Sequence, residues 1–297
     1  MHIAIVFNPK SGKRAAVTGL SDVVTALTSR HHKLTVIDCQ ELRDFERELR
    51  VLAEDLDRLI VIGGDGTLNG VVNALMNSGN HGVPIAFVPT GRGKDTARSL
   101  PAWTADSICS SAFELASSFP TDLIRITLTS GAERYAINVS SVGLGAHAAA
   151  IANKLPRALG AISYIVGAAR GFMPLRPFHL TMTVDGAEVE QEKALLVAAC
   201  NGKAFGGGIY LAPMAGQSDG LLDLVVASNA NLADLALQLG KLKSGTLFEH
   251  PALTRWQAEL IELEPIDSVY FEADGEGLTD QPIRYEIAPG AINWITP

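Results

Sequence analysis

The chain has 297 residues, 47% of them hydrophobic and 19% charged, which describes an ordinary globular protein long enough for two domains and excludes a disordered one. Its net charge of −8 lacks the basic footprint of a nucleic-acid binder and gives no bulk attraction to an anionic membrane. Cys39, Cys109 and Cys200 lie far apart with no CxxC spacing, so they make neither a disulfide framework nor a zinc site and read as apolar thiols in a reducing compartment.

The amino-terminal run Ile3–Phe7 follows no basic segment and reads as a first strand rather than a signal peptide. No window supplies the roughly 18 apolar residues of a membrane span. Helical spacing follows at Ala16–Ser29, a strand at Lys33–Ile37, an amphipathic helix at Leu42–Asp55 and a strand at Leu59–Ile62. Helix then continues at Gly70–Asn77, strand at Pro84–Val88, and helix again after Lys94 and over Thr104–Ser117. This alternation predicts a parallel sheet covered by helices. From about Asp122 the pattern changes to short strands: Leu123–Thr129, Tyr135–Ser140, Leu180–Val184, Lys193–Cys200, Leu221–Ala227, Ser268–Ala273 and Arg284–Ile287. Helical patterns interrupt them at Ala146–Phe172 and Leu232–Ser244. The fold expected is an α/β amino-terminal domain over 1–125 and a β-rich, antiparallel, sandwich-like domain over 126–285. The segment 286–297 is a candidate to complete the first.

Three polar turns fall at the carboxyl ends of the parallel strands, where ligands of such sheets sit: Asn8–Lys13, Gly63–Asn69 and Pro89–Asp95. In Gly63-Gly64-Asp65-Gly66-Thr67 glycines let backbone N–H groups approach a ligand, and the helix that follows aims its positive end at the same point. That suits a phosphate. Asp65 would repel one unless a metal ion or ordered water lay between them. Asn8–Lys13 carries Asn8 where a Walker A loop needs glycine, so a helix-capping turn explains it as well. In Pro89–Thr96, Arg92 and Lys94 fit anion binding better than the G-x-G fits a dinucleotide fingerprint. Asp219-Gly220 and Asp274-Gly275 read as ordinary hairpin turns; Asp219 with nearby carbonyls suits a hard cation, and Asp274 suits a general base.

In order, NPKSGK (Asn8–Lys13), GGDGTLN (Gly63–Asn69), PTGRGKDTAR (Pro89–Arg98), DLIRI (Asp122–Ile126) and NVSSVGLGA (Asn138–Ala146) resemble the diacylglycerol kinase catalytic-domain family, which includes bacterial lipid kinases and sphingosine kinases. The resemblance continues through NGKAFGGGIYLAP (Asn201–Pro213), SDGLLDLVV (Ser218–Val226) and ADGE (Ala273–Glu276). It implies an ATP-dependent lipid kinase, with Asn8, Ser11, Gly64, Asp65, Gly66, Thr67, Asn69, Gly91 and Arg92 holding the nucleotide. Asp65, Asp95 and Asp122 would form a carboxylate–water–Mg²⁺ network, Asp274 would be the general base, and Asp219 with the carbonyls of Gly216 and Leu221 would hold a structural cation. The partners implied are a lipid acceptor and transient peripheral contact with the inner face of a membrane from the cytoplasm, without nucleic acid; a homodimer is left open. The chain departs from the family at Gly70, where glutamate is usual, and at Arg92 and Lys94, where threonine and asparagine are. A kinase for a soluble acceptor such as NAD, and a nucleotide-binding regulatory protein without catalysis, are the alternatives.

Overall fold

A computed structural model describes residues 1–9, 14–38, 47–48, 56–79, 82–91, 93–154, 177–228, 241, 244–246, 250–266 and 269–297. By its internal packing the chain divides into two compact units, one of Met1–Thr121 with Gly290–Pro297 and one of Asp122–Pro289.

In the first unit, β1 (His2–Phe7), β2 (Lys33–Asp38), β3 (Arg58–Gly63) and β4 (Pro84–Pro89) form a parallel sheet in the order β4-β3-β1-β2. Every residue of β1, and all but Arg58 of β3, is buried. Strands covered on both faces need the near-continuous apolar runs that these segments carry. Ile3, Ile5, Ile60 and Ile62 pack in one cluster with Val23 and Leu27 of α1 (Arg14–Ser29) and with Trp103 and Phe113. Asn293 and Trp294, near the carboxyl terminus, pair in parallel with Pro84 and Ile85. The indole N–H of Trp294 donates to the Pro101 carbonyl at 2.8 Å, and that of Trp103 donates to the Ile295 carbonyl at 2.9 Å, which locks the last residues in place.

α2 (Asp65–Ser78) starts earlier than the sequence suggests: Gly64 is the N-cap in an extended conformation, and Asp65, Gly66 and Thr67 are already helical. The glycines mislead here because Gly66 and Gly70 sit inside the helix, where glycine is tolerated at a cost, and Asp65 in the first turn complements the helix dipole. The helix expected at Thr104–Ser117 is instead a set of single turns. α3 (Thr96–Ser99) precedes them, and α4 (Ala105–Ile108) and α5 (Ala112–Leu115) fill the segment. Thr104 closes a capping box with Ser107 at the start of α4.

Among the described residues every strand pair within the second unit is antiparallel. Its strands are β5 (Ser118–Leu128), β6 (Glu133–Ala136), β7 (Val139–Gly143), β8 (Phe178–Val184), β9 (Ala187–Cys200), β10 (Ala204–Phe205), β11 (Ile209–Tyr210), β12 (Leu222–Ser228), β13 (Leu253–Ala258), β14 (Leu260–Leu263), β15 (Phe271–Ala273), β16 (Glu276–Gly277) and β17 (Pro282–Ile295). The helix α6 (Leu144–Lys154) follows β7. The main sheet runs β16-β15-β7-β9-β8-β14-β17, and β12 pairs with β9 and β13. The period-2 geometry explains the unbroken apolar runs. Val197 and Ala199 of β9, with Leu222, Leu224 and Val226 of β12, join one cluster; Leu196, Ala198, Cys200, Val225 and Ala227 join another on the opposite face. The Cys200 thiol is buried and burial pushes its pKa up. The expected strand Tyr135–Ser140 is two strands with a break at Ile137 and Asn138, and β13 and β14 were not foreseen. The helices expected at Leu42–Asp55, beyond Lys154 and at Leu232–Ser244 lie wholly or largely outside the described residues.

Candidate active site

Adjacent parallel strands bring the turns after β1, β3 and β4 together. The Asn8 amide N–H donates to the Ile62 carbonyl at 3.1 Å, and that of Thr90 donates to the Gly63 carbonyl at 2.8 Å. The Asn8 side chain donates through Nδ2 to Thr67 Oγ1 at 3.0 Å, so the first turn is pinned to the start of α2. Gly63 is required at the strand end, since a Cβ there would stand 2.7 Å from that of Thr67. Gly91 lies so close to Gly64 that a Cβ on it would stand 2.6 Å from the Gly64 Cα. Two backbones therefore touch beside the N-terminus of α2, whose first N–H groups have no partner within the helix.

The carboxylates of this unit meet over Gly93. A Cβ there would be 2.9 Å from Asp65 Oδ2 and 3.4 Å from Asp95 Oδ2. Asp65 Oδ1 accepts the Thr96 amide at 3.0 Å, and Asp95 Oδ1 pairs with Arg98 Nη1 at 3.2 Å. Arg98 also donates to the Gly93 carbonyl. Lys94, between them, is held at φ 54°, a left-handed conformation that a lysine adopts at a cost. Gly66 and Asn69 lie in the first turns of α2. Ser11 and Arg92, expected at the nucleotide, lie outside the described residues.

In the second unit Asp274 and Gly275, at φ 49° and 84°, are the two central residues of a hairpin that closes Ala273 onto Glu276. Consecutive left-handed residues are what a type I′ turn demands, and Asp-Gly satisfies it. The Asp274 carboxylate accepts the amides of Ile137 at 2.7 Å, Asn138 at 2.9 Å and Val139 at 3.1 Å. This capture is why the strand expected at 135–140 breaks: those amides turn to a carboxylate instead of a neighbouring strand. Behind the turn, Glu272 is 2% exposed; its Oε1 meets Ser141 Oγ at 2.5 Å and its Oε2 accepts the Gly275 amide at 2.7 Å. Burial, with Asp274 adding to it, pushes its carboxyl up to about 8. The sequence reading missed Glu272. The available signal was a carboxylate on the inward-facing register of an apolar strand.

Asp122 also belongs to the second unit, so the three carboxylates expected in one network divide between the units. Its Oδ2 accepts the Gly220 amide at 2.9 Å, and its own amide donates to the Gln217 carbonyl at 2.9 Å, which ties β5 to the Gly216–Leu221 turn. Asp219 Oδ1 accepts the Leu221 amide at 3.1 Å, and a Cβ on Gly216 would stand 2.5 Å from Asp219 Oδ2. Among the described residues no three His, Cys, Asp or Glu side chains gather as a preformed metal site. Two buried amides support this region: Asn201 Nδ2 donates to the carbonyls of Asp122 and Ile137, and Gln217 Nε2 donates to that of Ile137.

A parallel α/β unit with paired glycine turns at a helix N-terminus, joined in one chain to an antiparallel unit bearing an Asp-Gly turn, is the two-domain diacylglycerol kinase fold. The chain belongs to the diacylglycerol kinase family: residues 2–126 match the diacylglycerol kinase catalytic domain, and residues 138–296 match the YegS C-terminal NAD kinase beta sandwich-like domain. It is 30% identical to the "Probable lipid kinase YegS-like" of Shewanella frigidimarina (strain NCIMB 400), over 100% of this chain and 94% of that one. It is 26% identical to the diacylglycerol kinase of Mycobacterium tuberculosis (strain ATCC 25618 / H37Rv), over 99% of this chain and 95% of that one. A crystal structure from Bacillus anthracis str. Sterne superposes with a TM-score of 0.79 at 25% identity, covering 100% of this chain and 97% of the other. A diacylglycerol kinase structure from the same strain superposes at 0.72 with 22% identity. The expected fold, an α/β domain followed by a β sandwich-like one, is the fold found. Among the described residues no helix is long and apolar enough to cross a membrane.

Proposed function

We propose that the chain is an ATP-dependent lipid kinase that phosphorylates a lipid hydroxyl, with Asp274 as general base. The observation that carries the donor half is the contact of Gly91 with Gly64, which excludes any side chain beside the first N–H groups of α2. Such a cradle fits a phosphate chain. The donor set above it, Asp65 and Asp95 over Gly93, fits a hard cation such as Mg²⁺. When bound, ATP supplies the γ-phosphoryl group and Mg²⁺ neutralises its charge. Phosphoryl transfer asks the protein for positioning and electrostatics more than for covalent chemistry. In this reading the amides of Asp65, Gly66 and Thr67 orient the phosphates, with Asn8 and Asn69 steadying the turn and Ser11 and Arg92 adding contacts. Asp65 and Asp95 hold the cation, and Asp274 takes the proton of the attacking hydroxyl. Asp219, with the carbonyls of Gly216 and Leu221, holds a second, structural cation. The acceptor is diacylglycerol or a related lipid, reached by transient contact with a membrane surface.

The test is transfer of labelled γ-phosphate to a panel of extracted lipids, with NAD as a soluble control. Labelling of a lipid that is lost in Asp274→Asn, with ATP binding retained, is the expected result. Labelling of NAD alone would overturn the lipid reading, and full activity of Asp274→Asn would remove that residue from the chemistry.

A further inference from the structure

We infer that Glu272 is the positioning residue of the Asp274 turn, bridging Ser141 on β7 to the amide of Gly275 and so fixing where the Asp274 carboxylate stands. Its consequence for catalysis rests on the reading of Asp274 as the base; its structural part does not.

The geometry comes from register. Glu272 and Ser141 are direct partners in the antiparallel pair of β15 and β7, so their side chains share a face and meet at 2.5 Å. The second carboxyl oxygen reaches forward to the Gly275 amide at 2.7 Å, inside the hairpin loop. One side chain thus clamps a neighbouring strand to the left-handed turn from which Asp274 gathers the amides of Ile137, Asn138 and Val139. The Ser140 hydroxyl adds a bond to the Glu272 carbonyl at 2.7 Å. Glu276, the other acid of the hairpin, is exposed and cannot serve this purpose.

Glu272 is also held as an uncharged acid at neutral pH, because burial disfavours its anion. The groups within electrostatic reach are Asp274 on its own hairpin, Cys200 on β9 and Tyr285 on β17. Burial raises the thiol and the phenol, so both stay neutral and Asp274 is the charge that Glu272 faces. Ionising Glu272 puts a second anion against the base, although the bonds from Ser141 and Gly275 favour that anion.

The experiment combines amide hydrogen exchange with steady-state kinetics on the intact chain, using ATP and dioleoylglycerol in mixed micelles. In Glu272→Ala, exchange at 137–139 and 275, corrected for intrinsic rates, rises about tenfold, as loss of a hydrogen bond to a buried group allows. Its kcat falls about tenfold or more, the scale of a base misplaced by a fraction of an ångström, while KM for ATP stays put. Glu272→Gln, whose amide can bond both partners, keeps protection and kcat at pH 7. Unchanged protection in Glu272→Ala, or a glutamine variant that exchanges like the alanine one at pH 7, overturns the proposal. If Glu272→Ala fails to fold, Ser141→Ala and Glu272→Gln carry the same comparison. The exchange pattern without labelling of any lipid would refute the acceptor reading and leave the positioning role standing; lipid labelling with unchanged exchange would refute the positioning role alone.

Discussion

Replacing Gly91 with alanine tests the phosphate cradle most directly. The new Cβ would stand 2.6 Å from the Gly64 Cα, with the Gly64 and Asp65 nitrogens at 3.6 and 3.7 Å. Carbon atoms in contact prefer about 3.5–4.0 Å, so the two turns must part by about 1 Å. Backbone lies on both sides, and neither side can rotate away as a flexible side chain would. Overpacking of this kind costs about 1–3 kcal/mol. The displacement also moves the N-cap of α2, and with it the amides that aim at the phosphates, and an error of about 1 Å in a reacting group costs on the order of a hundredfold in rate. Thermal melting, calorimetric titration with Mg·ATP and steady-state kinetics read the three effects separately. Gly82→Ala is the control in the same unit, because nothing lies within 4 Å of its added Cβ and its φ is not in the left-handed region. The expected outcome is a lowered melting temperature, weakened nucleotide binding and reduced kcat in Gly91→Ala, with Gly82→Ala close to wild type. A Gly91→Ala protein that melts and binds Mg·ATP like wild type would refute the idea that this close approach shapes the site.

Glu272 predicts a pH dependence of stability. The unfolded chain's glutamate titrates near 4.5 and the folded one at about 8, so between those values the unfolded state alone releases the proton and stability falls as pH rises. The slope is at most about 1.4 kcal/mol per pH unit from this group, and Glu272→Gln should abolish it; denaturant unfolding at pH 5, 6.5 and 8 of both proteins checks this. Asp274→Asn turns an acceptor oxygen into a donor facing backbone amides and should cost about 1.5–3 kcal/mol of stability, so it must be melted before its kinetics are read. A melting curve indistinguishable from wild type would show that the three amides do not depend on the charge. Lys94→Asn should stabilise by about 0.5–1 kcal/mol, since asparagine tolerates the left-handed conformation better, and chemical denaturation measures it. Asn8→Ala removes the bond to Thr67 and should cost about 0.5–1.5 kcal/mol while raising KM for ATP.

Much of this architecture is legible from the sequence because the central strands of both units are buried on both faces. Such strands announce themselves as apolar runs, as β1, β3, β9 and β12 do. Two strands that escaped notice, β13 and β14, mix apolar residues with polar ones such as Thr254, Arg255, Gln257 and Glu262, and no motif marks them. The turns of the first unit were legible through glycines, whose need is local, although the same glycines hid where α2 begins. What local pattern could not supply is capture over distance. Nothing between Tyr135 and Ser140 says that the strand breaks, because the cause is a carboxylate 135 to 137 positions away. Glu272 escaped for the same reason, its partner Ser141 lying 131 positions distant.

The Asp274 turn also shows why two carboxyl groups in one buried hairpin need not conflict. Asp274 receives three backbone amides, an environment suited to an anion. Glu272 accepts the Gly275 amide and meets the Ser141 hydroxyl, while burial and the neighbouring charge of Asp274 both oppose its ionisation. The environments drive the two groups apart: the amides of 137–139 favour an anion at Asp274, and burial disfavours one at Glu272. An acid and a base kept distinct in this way is the arrangement by which proteins assign different tasks to like residues. Here the neutral member holds the turn and the charged member faces the amides of 137–139. A Glu272→Asp variant separates charge from reach: the shorter side chain keeps a carboxyl group but cannot span from Ser141 to Gly275. Loss of amide protection in that variant, alongside retention in Glu272→Gln, would assign the clamp to length and hydrogen bonding and not to the carboxyl group as such.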